Sequence, residues 1–300
     1  IIKTISKTFP YLFHKYKLNI QNFYNKINYS IIQNNFSNSM LYAHLHCYNI
    51  DKFEEIYGIY ISQIDIHFNI IITYCIGNNI PNLYTVLKIP NKGQDIGAKF
   101  CMINYLLSNN IIYTHILFLH SKSNVQRRTM YFDSLINNLD SIVNERNNYD
   151  GVFPDMKWLI NEKFSTNKRG ETIWEVNNIY RNELLDYLEI EDKNKEFIEG
   201  NVYFLTKKVS EKLFGDPILY NILNKPIDFD YNYIINKYKI QDNPEILFQQ
   251  FPQVNILTGE NYGNIEQSFE RVVLNCCEKS RIVYSIKPII LIDCQCLQHE

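Results

Sequence analysis

A chain of 300 residues with 46% hydrophobic content can bury a sizeable core, so it needs neither disulfide staples nor a structural metal to hold together. Thirty basic and 32 acidic residues give a net charge of -2, which excludes a global field drawing the chain to nucleic acid or an acidic membrane; any anionic ligand must be met by local cations. The seven cysteines are odd in number and mostly sit in apolar runs, which suits buried thiols in a reducing compartment, and a cytoplasmic location is expected.

No run of about 18 or more uncharged apolar residues appears, so no membrane-spanning helix is expected. The chain begins at Ile1 rather than Met, and is expected to be part of a longer protein. Over 9–35, Tyr11, Leu12, Tyr16, Ile20, Phe23, Ile27 and Ile31 recur at roughly helical spacing, which predicts a helical preface or linker within 1–39. Residues 40–48, MLYAHLHCY, alternate as a first strand does. His44 and His46 share one face of it. A lone strand histidine is more often a core residue than a ligand, yet His46 and Tyr48 stand at the strand end, where a base or ribose can stack.

Asp51 is placed to cap a helix through Tyr60, and 68–75, FNIIITYC, reads as a strand buried on both faces. A second unit follows: a strand over 83–89, the turn NKGQDIG over 91–97, a helix over about 98–109 and an apolar strand over 115–119. This strand stops at His120, Ser121 and Lys122. Two strand-helix-strand units with right-handed crossovers predict a mainly parallel sheet. Ligands of such sheets bind outside the carboxyl ends of the strands, so NKGQDIG and His120-Ser121-Lys122 are expected to face one crevice.

Beyond it come Arg127 and Arg128, a helix over 130–146, and a strand leading into a loop over 150–159. Charged, Asn-rich residues 161–196, helical near 179–188, read as a mobile insertion over the crevice, of the kind used as lids or acceptor-binding loops. Residues 197–214 read as a strand interrupted by Gly200, then a helix. A second insertion covers 216–264. A helix over 264–278 places Glu266 and Glu270 on one face, and 279–300 form a tail that reads as one or two short strands and a ragged end.

Gly93 and Gly97 let a backbone approach a phosphate or turn sharply, and Asp95 suits ribose or sugar hydroxyls; the plainer alternative is an N-terminal helix carboxylate. The pattern is no dinucleotide fingerprint, and no Walker lysine follows it. Lys122 has no packing reason to stand at the end of a buried strand, and a cation there neutralises a diphosphate; the alternative is a solvated loop lysine. Glu270-Arg271 reads either as a surface ion pair or as acid/base machinery aimed at a hydroxyl. Neither Cys276-Cys277 nor Cys294-x-Cys296 has zinc-knuckle spacing.

The collinear order of HCYN (46–49), PNKGQDIG, ILFLHSKS, FIEGNVYF and SFERVV resembles the rhamnan synthesis F family of polysaccharide glycosyltransferases, over about 41–274. The resemblance implies a GT-A-like, Rossmann-type αβα sandwich with a mainly parallel central sheet and helical insertions. Its nucleotide-binding half is expected at about 40–150 and its acceptor-binding half at about 151–278. GT-A enzymes usually carry Asp-x-Asp, holding a divalent metal, where this chain has His120-Ser121-Lys122. Glu199 departs from the family's Phe-x-x-Gly strand and takes no role from it.

The implied activity is transfer of a sugar from a nucleoside diphosphate, dTDP-rhamnose or a UDP-sugar, to a glycan hydroxyl, with inversion and without a divalent metal or other cofactor. On that reading His46, Tyr48 and Thr73 bind base and ribose; Asn91, Gly93 and Asp95 position ribose or donor sugar; His120 and Lys122 bind the diphosphate. Glu270 is the general base on the acceptor, Glu199 and Asp155 stand behind it, and Arg271 steadies the leaving group or orients Glu270. A non-catalytic glycan- or nucleotide-binding module is the alternative; a methyltransferase is disfavoured because no glycine-rich loop follows the first strand.

Overall fold

Apolar runs rich in Ile, Val, Phe and Tyr, each ending in polar or turn-forming residues, become the strands at the centre of the molecule. The computed structural model describes residues 27–34, 40–121, 125–160, 164–168, 172–174, 178–223 and 265–285. In chain order, β1 (Ser30–Gln33) precedes β2 (Leu41–Asn49), helix α1 (Phe53–Asp65), β3 (Asn69–Ile76), β4 (Thr85–Lys88), α2 (Gln94–Ser108) and β5 (His115–His120). Then come α3 (Val125–Ile136), α4 (Leu139–Asn144), β6 (Gly151–Pro154), β7 (Lys157–Ile160), β8 (Phe164–Asn167), β9 (Thr172–Trp174) and α5 (Asn178–Tyr187). The last elements are β10 (Glu196–Ile198), β11 (Tyr203–Thr206), α6 (Lys207–Phe214), α7 (Pro217–Ile222), α8 (Ile265–Val272) and β12 (Ser280–Val283).

Eight strands form one sheet in the order β1-β4-β3-β2-β5-β11-β6-β12, and β10-β7-β8-β9 form a second, antiparallel one. In the large sheet β4, β3, β2 and β5 run parallel, as do β6 and β12; β1 and β11 run against their neighbours. The chain winds outward from β2 through β3 to β4, then crosses back to β5 on the other side of β2. This reversal makes the gap between β2 and β5 a topological switch point, with a crevice at the carboxyl ends of both strands. Right-handed crossovers in opposite directions put α1 and α2 on opposite faces of the sheet. On one face the Phe132 ring of α3 meets Tyr57 and Tyr60 of α1 at 5.7 and 5.4 Å; on the other Phe100 of α2 meets Phe214 of α6 and Phe269 of α8, both at 5.6 Å. Burying such rings is the main stabilising term, roughly 1.5–3 kcal/mol each.

Several elements differ from the sequence expectation. The expected preface supplies β1, an edge strand on β4, while 1–26 lie outside the described residues. Asp51 caps no helix: it sits in a short 3-10 turn capped by Asn49, and its carboxylate accepts the backbone N–H groups of Asn78 and Asn79. Helix α2 begins at Gln94, four residues before the expected 98, so most of NKGQDIG is helix rather than loop. The helix expected over 130–146 is two helices, α3 and α4, that stop on either side of Asn137 and Asn138. Residues 157–198 contain β7 to β10, which form the second sheet, while α5 packs against α8. The strand expected through Gly200 is two strands in different sheets, β10 and β11, with Gly200 at the turn between them. The expected tail contributes β12 to the main sheet, so β11 and β12 belong to the same sheet as the nucleotide-side strands. The second insertion over 224–264 and the end over 286–300, Cys294 and Cys296 included, lie outside the described residues.

Candidate functional site

Three elements converge beside the switch point. First are the carboxyl ends of β2, β3 and β5, where His46 is in register with Thr73 on one side and His120 on the other. Thr73 is fully buried, and its hydroxyl lies 2.8 Å from His44 Nε2 and 3.0 Å from His46 Nδ1. His46 Nδ1 also lies 3.2 Å from the Thr73 carbonyl, an acceptor only, which puts the ring proton on Nδ1. The His46 carbonyl is bonded by Tyr57 Oη at 2.6 Å and Ser121 N at 2.8 Å. Burial, with Lys99 adding to it against the pull of Asp95 and a Thr73 backbone bond, pushes the His46 pKa down to about 4. His44 is held well below its ordinary value, again by burial first and then by His46.

Second is the first turn of α2. Gly93 caps it in the left-handed conformation at φ 70°, and a Cβ there meets Leu223 at 2.5 Å; a Cβ on Gly97 meets the Lys92 carbonyl at 1.6 Å. Packing explains both glycines, with no phosphate required. Asp95 follows, its side chain 15% exposed, with Oδ2 3.2 Å from Lys99 Nζ and 3.7 Å from His120 Nε2.

Third is the turn at Gly200. Its carbonyl lies 2.5 Å from His120 Nε2, and its N–H donates to Glu270 Oε1. One residue's backbone thus joins the end of β5 to α8. Gly200 adopts φ 105°, and a Cβ there meets the Tyr131 ring at 2.9 Å. The preceding Glu199 fixes the turn: it accepts from Arg127 Nη1 at 2.9 Å, Tyr131 Oη at 2.7 Å and Trp158 Nε1 at 3.1 Å. Desolvation, followed by the Glu199 charge, pushes the Tyr131 hydroxyl far above its ordinary value, so it stays a donor.

His46, Asp95, His120 and Glu270 are therefore brought together, and Arg271 joins them through Glu270 Oε2 at 3.7 Å while its guanidinium stacks 4.3 Å from the Phe197 ring. Arg271 is nonetheless buried, which suits orienting Glu270 better than touching a leaving group. Tyr48 is 45% exposed at the crevice edge, with its N–H 3.4 Å from Ser121 Oγ, and Asn91 is exposed in the turn before α2. Three expectations need correction. Thr73 is enclosed between two histidines and has no surface to offer a base or ribose. Glu199 is occupied by three donors, which makes it a structural anchor and not a second base. Asp155 follows β6 at the same carboxyl edge as His120, two strands beyond β5, but its carboxylate is engaged by Lys168 at 3.0 Å. Lys122 lies outside the described residues.

Sequence reasoning passed over Lys99, Tyr131 and Trp158. Lys99 left a signal, a lone cation one turn after Asp95 inside the apolar run IGAKFCMINYLL. Among the described residues no group of three His, Cys, Asp or Glu side chains is arranged to hold a metal ion, and no helix is long and apolar enough to cross a membrane. The fold and site define an α/β protein with a mostly parallel central sheet and helices, compatible with a Rossmann-like fold and carrying polar side chains at its switch point. Compared with protein-family models, curated proteins and solved structures, the chain gives no match.

Proposed function

We propose that this chain is a GT-A-like glycosyltransferase that moves a sugar from a nucleoside diphosphate to a glycan hydroxyl with inversion. The observation that carries the reading is the Gly200 bridge, which sets Glu270 beside Asp95 and His120 at the switch-point crevice. Sheets of this winding take nucleotides at that place, and the resemblance to the rhamnan synthesis F family runs through the same residues. In the reaction the acceptor oxygen attacks the anomeric carbon, the bond from that carbon to the phosphate oxygen breaks, and the acceptor proton passes to Glu270. Exposed Tyr48 offers a stacking face for the base. Lys122, with Arg127 and Arg128 at the start of α3, supplies positive charge for the departing diphosphate.

Incubation with a panel of nucleoside-diphosphate sugars, followed for donor hydrolysis and transfer to oligosaccharides, tests the reading. Release of nucleoside diphosphate that Glu270→Gln abolishes supports it. A second reading, a binding module without turnover, is favoured by one feature: Glu270 Oε1 already accepts the Gly200 N–H. Nucleotide binding with no turnover of any donor selects that alternative.

A further inference from the structure

We propose that the sheet edge opposite the switch point holds a second binding site, a cavity at His115 that takes a small oxyanion, either phosphate or the carboxylate of a small organic acid. The site is independent of the glycosyltransferase reading. Strand β5 carries a histidine at each end, and five residue steps set His115 about 16 Å from His120, so a small ligand at one end does not reach the other.

His115 opens β5 opposite Thr206, the last residue of antiparallel β11, and β6 and β12 start beside them at Gly151 and Ser280. These strand ends, the 3-10 turn Arg146–Asn148 after α4, and Glu278 and Lys279 before β12 line a cavity of about 340 Å³. That volume is at the small end of the roughly 300–1,000 Å³ of small-molecule sites and well beyond the ~30 Å³ of one water.

A polar side chain buried at such a place is normally met by protein or ordered water. His115 is 5% exposed, yet neither ring nitrogen has a hydrogen-bond partner among the described residues. Phe204 stacks on the ring with 5.1 Å between centres and 2° between planes, which fixes its orientation. Burial lowers the His115 pKa; the Arg146 backbone, which approaches without closing a hydrogen bond, pulls the other way, and the Arg146 charge adds to the fall. The neutral ring keeps one donor and one acceptor. Packing alone would be served better by Phe or Leu here, because neither leaves a polar atom unmet.

The charges lining the cavity decide what it takes. Both carboxylates are engaged: Asp150 Oδ2 accepts the backbone N–H groups of Glu278 and Lys279 at 2.9 and 3.1 Å, and Glu278 Oε1 lies 3.1 Å from Lys208 Nζ. Arg146 gives Nη1 to the Val143 carbonyl at 2.7 Å, and among the described residues no carboxylate lies within ion-pair distance of Arg146 or Lys279. Two cations beside a neutral N–H donor suit an oxyanion. The guanidinium fork and the ammonium meet its charge, and the His115 N–H donates to one of its oxygens.

Histidine-labelled protein titrated by NMR with inorganic phosphate and, separately, with malonate tests the site. Either anion is expected to shift the His115 ring signals and to raise the titration midpoint of the ring, since an anion beside it favours the imidazolium. Whichever saturates at the lower concentration assigns the source as phosphate or carboxylate. In calorimetry His115→Phe, which keeps an aromatic ring against Phe204, is expected to lose at least about tenfold in affinity for that anion, as loss of a hydrogen bond to a charged group does. Lys279 is exposed, so Lys279→Met is a variant that spares the core, and it is expected to weaken the same anion severalfold. His115 signals that ignore both anions at millimolar concentration leave a cavity holding water alone and overturn the proposal. So does an anion that moves His120 and not His115, which belongs to the switch-point crevice, and so does binding that survives both substitutions.

Discussion

Glu270→Gln and Glu199→Ala are expected to separate chemistry from architecture, although the two carboxylates flank the same turn. In Glu270→Gln the amide oxygen can still accept the Gly200 N–H, so the loss is that of a charge-assisted bond becoming a neutral one, about 1 kcal/mol of stability. A base on the acceptor hydroxyl contributes about 10²–10⁴-fold, or roughly 3–5 kcal/mol of barrier, so turnover is expected to fall well beyond the change in stability. Glu199→Ala works in the opposite sense. It removes the acceptor shared by Tyr131 Oη, Trp158 Nε1 and Arg127 Nη1. Losing a carboxylate that binds two buried donors costs about 2–5 kcal/mol, while turnover per folded molecule is expected to change less than tenfold. Steady-state kinetics on a turned-over donor, paired with urea denaturation of each variant, reads both quantities. Normal turnover in folded Glu270→Gln, or a larger kinetic loss in Glu199→Ala than in Glu270→Gln, refutes the assignment of the base.

Three further outcomes are expected. Gly200→Ala forces a Cβ into the Tyr131 ring at a backbone angle L residues rarely adopt, a cost on the order of 1–3 kcal/mol or more; an unchanged urea midpoint removes the strained bridge from the account. His46 has a folded pKa of about 4 against an ordinary 6.5, so the folded state binds fewer protons than the unfolded one there, and stability complete above pH 6.5 is lost as pH falls toward 4, by about 3 kcal/mol for this group alone; denaturation at pH 7 and pH 4.5 showing no loss contradicts its burial as a neutral ring. Turnover is expected to survive exhaustive chelation and to fall on Lys122→Ala by about 2–4 kcal/mol in transition-state stabilisation; abolition by chelator with rescue by manganese or magnesium returns the diphosphate to a metal.

The strand-helix-strand core was legible because hydrophobic period and strand-end polarity report on the same local geometry: FNIIITYC and ILFLH are buried on both faces, and both form parallel strands of the main sheet. Pairing partners were less legible where they are distant in sequence. Nothing local to FIEGNVYF says that Phe197 pairs with Trp158 while Tyr203 pairs with Phe118, since either half satisfies its own strand pattern. A short strand in the tail was legible, but not its place: β12 gains a sheet only because β6 presents an edge more than 120 positions earlier.

The site divides along the same line. Asp95, His120 and Glu270 stood out by their places at a glycine-punctuated turn, a strand end and a late helix, whereas Thr73 and Glu199 look equally functional in sequence and differ only in what surrounds them. Thr73 is enclosed between two histidines and Glu199 is already committed to three donors, and neither state is written in the local sequence. Lys99 is the converse case. A cation in an apolar helix face reads as a surface position turned slightly inward, until the i and i+4 relation to Asp95 is combined with the position of β5, which brings His120 to the same oxygen. Each of these carboxylates is told apart by the charges and donors already beside it, and those come from segments up to 72 residues away: Gly200 for Glu270, Arg127 and Tyr131 for Glu199. Chemistry at this crevice is therefore set by the tertiary placement of counter-charges, and the most informative substitutions are those that change a counter-charge while leaving the carboxylate in place.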